Sequence, residues 1–246
     1  MALAPPRSDF VECVLPPYSR LANYDRRKPP SEQANASIEP LKRVPQAFID
    51  AMVVREEVFV KEQGVLLENE LDSDDRRSFH WVAYASMPSK PGALEGKKDS
   101  SEIVSTRVPI GTIRVVPAPN PPHEENDRGV GDQGQESYVK IGRLAVVKDF
   151  RKMGISNLLI RRAIDFVAKH PGDVRLQLDP AEREVYLQKN AALEFQGLIM
   201  VHAQIGVQKL WAKYGFETDE ALGTWDEEGI DHVGMWKRVD TSKARD

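Results

Sequence analysis

"KIGRLAVVKDFRKMGISNLLIRRAIDFV", residues 140–167, passes from an apolar strand through a short basic turn into an amphipathic helix, with no proline between them. The strand has a slip in its pattern. Val139 and Ile141 alternate, the alternation shifts by one at Gly142-Arg143, and Leu144 and Val146 resume it. A one-residue slip in a period-two pattern is what a β-bulge produces, although a plain strand carrying a glycine reads the same way. A bulge would splay this strand from its neighbour and leave backbone amides and carbonyls facing a cleft, where they need partners.

The turn Arg151-Lys152-Met153-Gly154-Ile155-Ser156 raises the same matter of free donors. A helix start carries N–H groups without internal acceptors and a partial positive charge, so it suits phosphate oxygens. A glycine lets a ligand approach the backbone closely. The phosphate-binding Gly-x-x-x-x-Gly-Lys-Ser/Thr loop is absent, as is the Gly-x-Gly-x-x-Gly of a dinucleotide fold. Taken alone, the turn also fits a capped helix with surface cations.

Around this stretch lie 246 residues, 41% of them hydrophobic, enough for a substantial core. Lys+Arg 34 against Asp+Glu 38 leaves a charge of −4, so no basic field points to nucleic acid. The single cysteine, Cys13, excludes an internal disulfide and a Cys-based zinc site, and a reducing compartment, the cytoplasm or the nucleus, is expected. No secretory core stands at the N-terminus and no run approaches the ~18 apolar residues of a membrane span. One domain over 1–246 is expected, with loop insertions near 86–106, 117–136 and 171–196; the last of these is read as an added helix that could serve a homodimer contact.

Between the insertions the periodicity alternates. Residues 10–15 read as a strand and 44–60 as a helix with Phe48, Met52, Val53 and Phe59 on one face. Residues 79–85 and 108–116 read as antiparallel neighbours. After Ser156, a helix places Ile155, Leu158, Leu159, Ala163, Phe166 and Val167 at three- and four-residue steps and stops at His170-Pro171-Gly172. A strand at 198–204, a short helix at 206–214 and two strands around Phe216 and 232–239 complete an α/β pattern with a mixed sheet.

Strand, Arg-x-x-Gly-x-Ser, amphipathic helix, strand and a helix ending in Tyr214-Gly215-Phe216 resemble the GNAT acyltransferase superfamily, whose signature is Arg/Gln-x-x-Gly-x-Gly/Ala. Ser156 departs from it mildly. "VREEVFVKEQGV" at 54–65, "ENELDSDD" at 68–75, "KIGRLAV" at 140–146 and "GIDHVGMWK" at 229–237 are similar to the ElaA/YjcF-like branch, in that branch's order. The resemblance implies a mixed, mostly antiparallel twisted sheet with splayed central strands and flanking helices. It implies N-acetyl transfer from acetyl-CoA to a primary amine by direct attack in a ternary complex. Leu144, Ala145 and Val146 would line the pantetheine arm; Arg151, Lys152, Met153, Gly154, Ile155, Ser156 and Asn157 would hold the pyrophosphate; Trp211 would lie beside the thioester.

Such a transfer needs a positioned thioester, a polarised carbonyl and removal of a proton from the attacking ammonium, and no covalent nucleophile. The superfamily's Phe-Tyr-x-x-x-Gly-Phe motif falls on "LWAKYGF", which puts Trp211 where a proton-donating tyrosine is usual and leaves Tyr214 as the candidate acid. Glu62, His80, His202 and His232 are the candidate bases. His123-Glu124-Glu125 is weak as a metal site, and no metal is expected. The five acids Glu68, Glu70, Asp72, Asp74 and Asp75 read either as a solvated turn or as a rim attracting a cationic amine. The competing function is a non-catalytic acyl-CoA-binding or protein-interaction module that keeps the fold.

Overall fold

The computed structural model describes residues 10–33, 37–88, 105–118, 120, 137–174 and 195–242. Eight strands form one open sheet: β1 (Val11–Val14), β2 (Phe79–Pro88), β3 (Ser105–Val116), β4 (Tyr138–Val146), β5 (Leu198–Gln204), β6 (Glu217–Thr218), β7 (Thr224–Glu227) and β8 (Ile230–Arg238). Their order is β1-β2-β3-β4-β5-β8-β6, with β7 also on β8. The β4–β5 pair is parallel and every other described pair is antiparallel.

Period-two alternation divides β2 between two cores. Trp81 and Ala83 join the cluster under helix α3 (Ile155–Lys169), while Val82 and Tyr84 join the cluster under helix α1 (Gln46–Arg55). One helix therefore covers each face. The three- and four-residue spacing of α3 buries Ile155, Leu159, Ile160, Ala163 and Val167 completely or nearly so. Each such Leu or Ile contributes about 1.5–3 kcal/mol by burial. Phe166 closes the far end with its ring 4.8 Å from Phe79 and 5.0 Å from Trp81. Gly111 on β3 sets how close α3 sits, because a Cβ there would lie 2.9 Å from Ile155 Cγ2.

On α1 the buried face holds Phe48, Met52 and Val54; Val53, expected inside, is exposed. The helix does not stop at Arg55. It continues as a π-helix, Glu56–Glu62, whose wider turns shift the phase of every later side chain relative to a 3.6-residue period. The sequence also gave no warning of β7. It pairs with β8 through Glu228-Gly229, both at positive φ (55° and 80°), a two-residue hairpin turn in which Glu replaces the usual Asn or Asp. Cys13 lies exposed on edge strand β1. The insertions expected near 86–106 and 117–136, the added helix expected within 171–196, and His123-Glu124-Glu125 fall wholly or largely outside the described residues.

The acidic stretch is not simply a solvated turn or a rim: Glu68 is exposed, but Glu70 and Asp75 are buried. Arg55, fully buried on α1, donates to Glu70 at 2.5 Å and to Asp75 at 2.7 and 3.1 Å. Arg114 on β3 donates to Asp72 at 2.7 Å and Asp75 at 2.8 Å, and Arg143 on β4 donates to Asp72 at 3.1 Å. Three arginines thus match three carboxylates, which is what allows such a group to be buried at all. Burial alone would push the Asp75 carboxyl up; Arg55 and Arg114 overcome it and hold it well below the usual carboxylate range. Asp74 pairs with Arg77 at 2.8 Å.

Candidate active site

β4 and β5 pair only from Tyr138↔Leu198 to Ile141↔Val201, and beyond that point they part. The cause lies on the other edge of β4. Its register with β3 runs Thr112↔Ala145, then Arg114↔Gly142, so Arg143 and Leu144 together face Ile113. That is the bulge the alternation slip suggested. Arg143 adopts φ 51°, a left-handed conformation that costs a non-glycine residue about 1–2 kcal/mol. Its ion pairs to Asp72 and Glu70 hold it there.

The divergence opens a cleft of about 590 Å³. Leu144, Ala145, Val146, Arg151, Lys152, Ile155, Ser156 and Trp211 line it. Met153, Gly154 and Asn157 are exposed on the turn and helix start beside it rather than in its wall. Gly154 is the first residue before α3, with φ 83°, and no side chain caps the helix. A Cβ built on Gly154 would meet nothing within 4 Å. Uncapped amides beside open space fit a phosphate-bearing ligand. Arg151, however, is already engaged: it donates to both oxygens of Glu62, at 3.0 and 2.7 Å, and to the Val146 carbonyl at 2.9 Å.

Trp211 is buried, with its ring 5.2 Å from Phe216 in an edge-on contact. Tyr214 lies outside the cleft wall, and its hydroxyl donates to the Asn157 side chain at 2.9 Å, tying helix α4 (Gln208–Ala212) to the start of α3. His80 is excluded as a base, being fully buried, 5.0 Å edge-on from Phe48 and 3.8 Å from Asp75. Burial above all depresses its imidazole to about 3.

The other candidates meet in the cleft. Glu62 ends the π-helix and Gln63 follows it, His202 and Gln204 come from β5, and His232 from β8. Gln63 and Gln204 exchange amide hydrogen bonds at 3.1 and 3.4 Å, joining the two walls. Two residues that sequence reasoning missed complete the group. Trp225 on β7 places its ring 5.0 Å edge-on to His202 and 6.4 Å from His232. Glu227 sits 3.7 Å from His202 Nδ1. The neighbouring His202 is the main reason the Glu227 carboxyl falls to about 2; burial opposes the shift, and His232 and Arg143 assist it. The signal that could have found them is the hairpin turn at Glu228-Gly229. Among the described residues, no group of three His, Cys, Asp or Glu side chains is placed to hold a metal ion. No described helix is long and apolar enough to cross a membrane.

A sequence model of the acetyltransferase (GNAT) family matches residues 55–192, more than half of the chain. The chain belongs to that family. Its fold is similar to that of an acyl-CoA N-acyltransferase from Pseudomonas aeruginosa (18% identity, TM-score 0.43, covering 82% of this chain and 94% of that one). It is also similar to Escherichia coli ElaA, at 16% identity and a TM-score of 0.44, covering 83% and 95% of the two chains.

Proposed function

We propose that the protein transfers an acetyl group from acetyl-CoA to a primary amine, the amine attacking the thioester directly while both substrates are bound. The observation that carries this reading is the parting of β4 and β5 beyond Ile141 and Val201, which leads to the uncapped start of α3 at Gly154. The amides of Ile155 and Ser156 and the cation Lys152 would hold the pyrophosphate, and the freed edge of β4 from Leu144 to Val146 would pair with the pantetheine arm. The acceptor enters between the π-helix and the β5–β8–β7 face, where Glu62 and Glu228 favour a cationic amine over an anionic one. Trp211 cannot deliver a proton, so the thiolate leaves without a tyrosine acid in the usual place.

Calorimetry with acetyl-CoA, run beside a thiol-release assay over a panel of amines, tests the reading. Binding and turnover support it; binding without turnover on any amine favours the non-catalytic module that Trp211 brings to mind; no binding refutes both. Gly154→Asn adds a side chain while tolerating left-handed φ, so it should weaken acetyl-CoA at least tenfold and leave thermal stability nearly unchanged. Gly154→Val should weaken it as much and lower stability besides, since a β-branched residue is strained at that φ.

A further inference from the structure

We infer that His202 is the base that takes the acceptor's proton and that Glu227 is the carboxylate that positions its ring. The inference rests on the acyl-transfer reading and names who does the proton work in it.

Strand register brings the group together. Gln204 is opposite His232, and Trp225 is opposite His232 on its other side. Residues two apart on a strand share a face, so His202, Gln204, His232, Trp225 and Glu227 all project from one face of β5–β8–β7. That face lines the cleft past the point where β4 departs.

The other candidates are less open to an acceptor. Both Glu62 oxygens accept from Arg151, His232 is only 8% exposed, and the Tyr214 hydroxyl is turned to Asn157. His202 keeps 19% of its side chain exposed, and its Nδ1 faces Glu227 at 3.7 Å. A carboxylate on Nδ1 fixes the tautomer that leaves Nε2 with its lone pair, and Trp225, edge-on at 5.0 Å, restricts the ring's rotation. The charged groups around the pair are His232 from β8, Arg143 from β4 and Glu62 from the π-helix.

In the step itself, Nε2 takes one proton from the ammonium and later returns it to water. The freed nitrogen lone pair forms the N–C bond to the thioester carbonyl carbon. The C–S bond breaks with its electron pair on sulfur, and the second nitrogen proton ends on that thiolate, giving amide and free thiol.

The test measures kcat, acceptor KM and acetyl-CoA Kd for His202→Gln, His202→Gly, His232→Gln, Glu227→Gln and Glu227→Asp on the best amine in the panel. His202→Gln should lower kcat about a hundredfold with Kd unchanged, and added imidazole should restore part of the rate of His202→Gly. Glu227→Gln should lower kcat at least tenfold with KM within about twofold, Glu227→Asp should recover most of it, and His232→Gln should lower kcat by less than His202→Gln does. The inference is overturned if His202→Gln keeps more than a third of kcat, if imidazole rescues nothing, if the loss falls on KM alone, or if His232→Gln carries it. Those outcomes leave the acyl-transfer reading standing. A wild-type protein that turns over no amine removes the reading, and this inference with it.

Discussion

Two groups of cations and carboxylates meet at Arg143, and they differ in what water can reach. Arg55, Glu70 and Asp75 are at most 2% exposed, and each charge has a counter-charge. His202 and Glu227 keep 19% and 44% of their side chains exposed at the cleft. The same residue types therefore serve different ends. Sealed from water, a charge is held by its partners and can exchange no proton without loss of fold; at the cleft it can be approached by a substrate. The buried set is also what lets the other one form, because Asp72 and Glu70 hold the left-handed Arg143 that bends β4 away from β5.

The comparison is broken most severely at Asp75, which accepts from Arg55, Arg114 and the Asp72 amide. Asp75→Asn leaves a surplus buried positive charge and should cost about 3–5 kcal/mol in urea unfolding. A loss under about 1 kcal/mol would mean that the network is hydrated rather than sealed.

An intermediate effect is expected from His80. Its imidazole protonates at about 3 when folded against 6.5 when free, so the unfolded chain takes up the proton first on acidification. Stability that is complete above about 6.5 should fall as pH drops towards 3, by up to about 1.4 kcal/mol per unit. Asp72 and Asp75, whose carboxyls are lowered from 3.8, act only below that value. Urea midpoints between pH 7 and 4.5 should therefore slope in the wild type and flatten in His80→Leu; equal slopes would assign the acid sensitivity elsewhere.

The smallest effect belongs to the mouth of the cleft. The Arg151–Glu62 pair is 41% and 29% exposed, so Glu62→Gln should change thermal stability by less than about 1 kcal/mol, and less still at high salt. A larger change would place this pair with the buried set.

The half of the cleft built from contiguous residues was legible in the sequence. The slip at Gly142-Arg143 marked the bulge, the Arg151–Ser156 turn the start of α3, and the three- and four-residue spacing the buried face of α3, since each is a local rule of backbone geometry or period. Where a rule was broken locally, reading failed: the π-helix changed the period after Arg55, and the Glu228-Gly229 hairpin used a residue that rarely marks such a turn.

Other features belong to no local stretch. The five acids at 68–75 read as a surface because charge ordinarily prefers water; only the convergence of Arg55, Arg114 and Arg143 from three separate elements makes Glu70 and Asp75 interior residues. His202, Trp225, Glu227 and His232 span three strands, and no spacing in the chain states that β5 and β7 both pair with β8. Sequence determined the fold class and the β4–α3 wall of the cleft, because those follow from periodicity and turn chemistry within a few residues. Tertiary structure alone decided which charges are sealed and which open onto the cleft, because burial is set by the elements that pack against a residue and not by the residue's own neighbours in the chain.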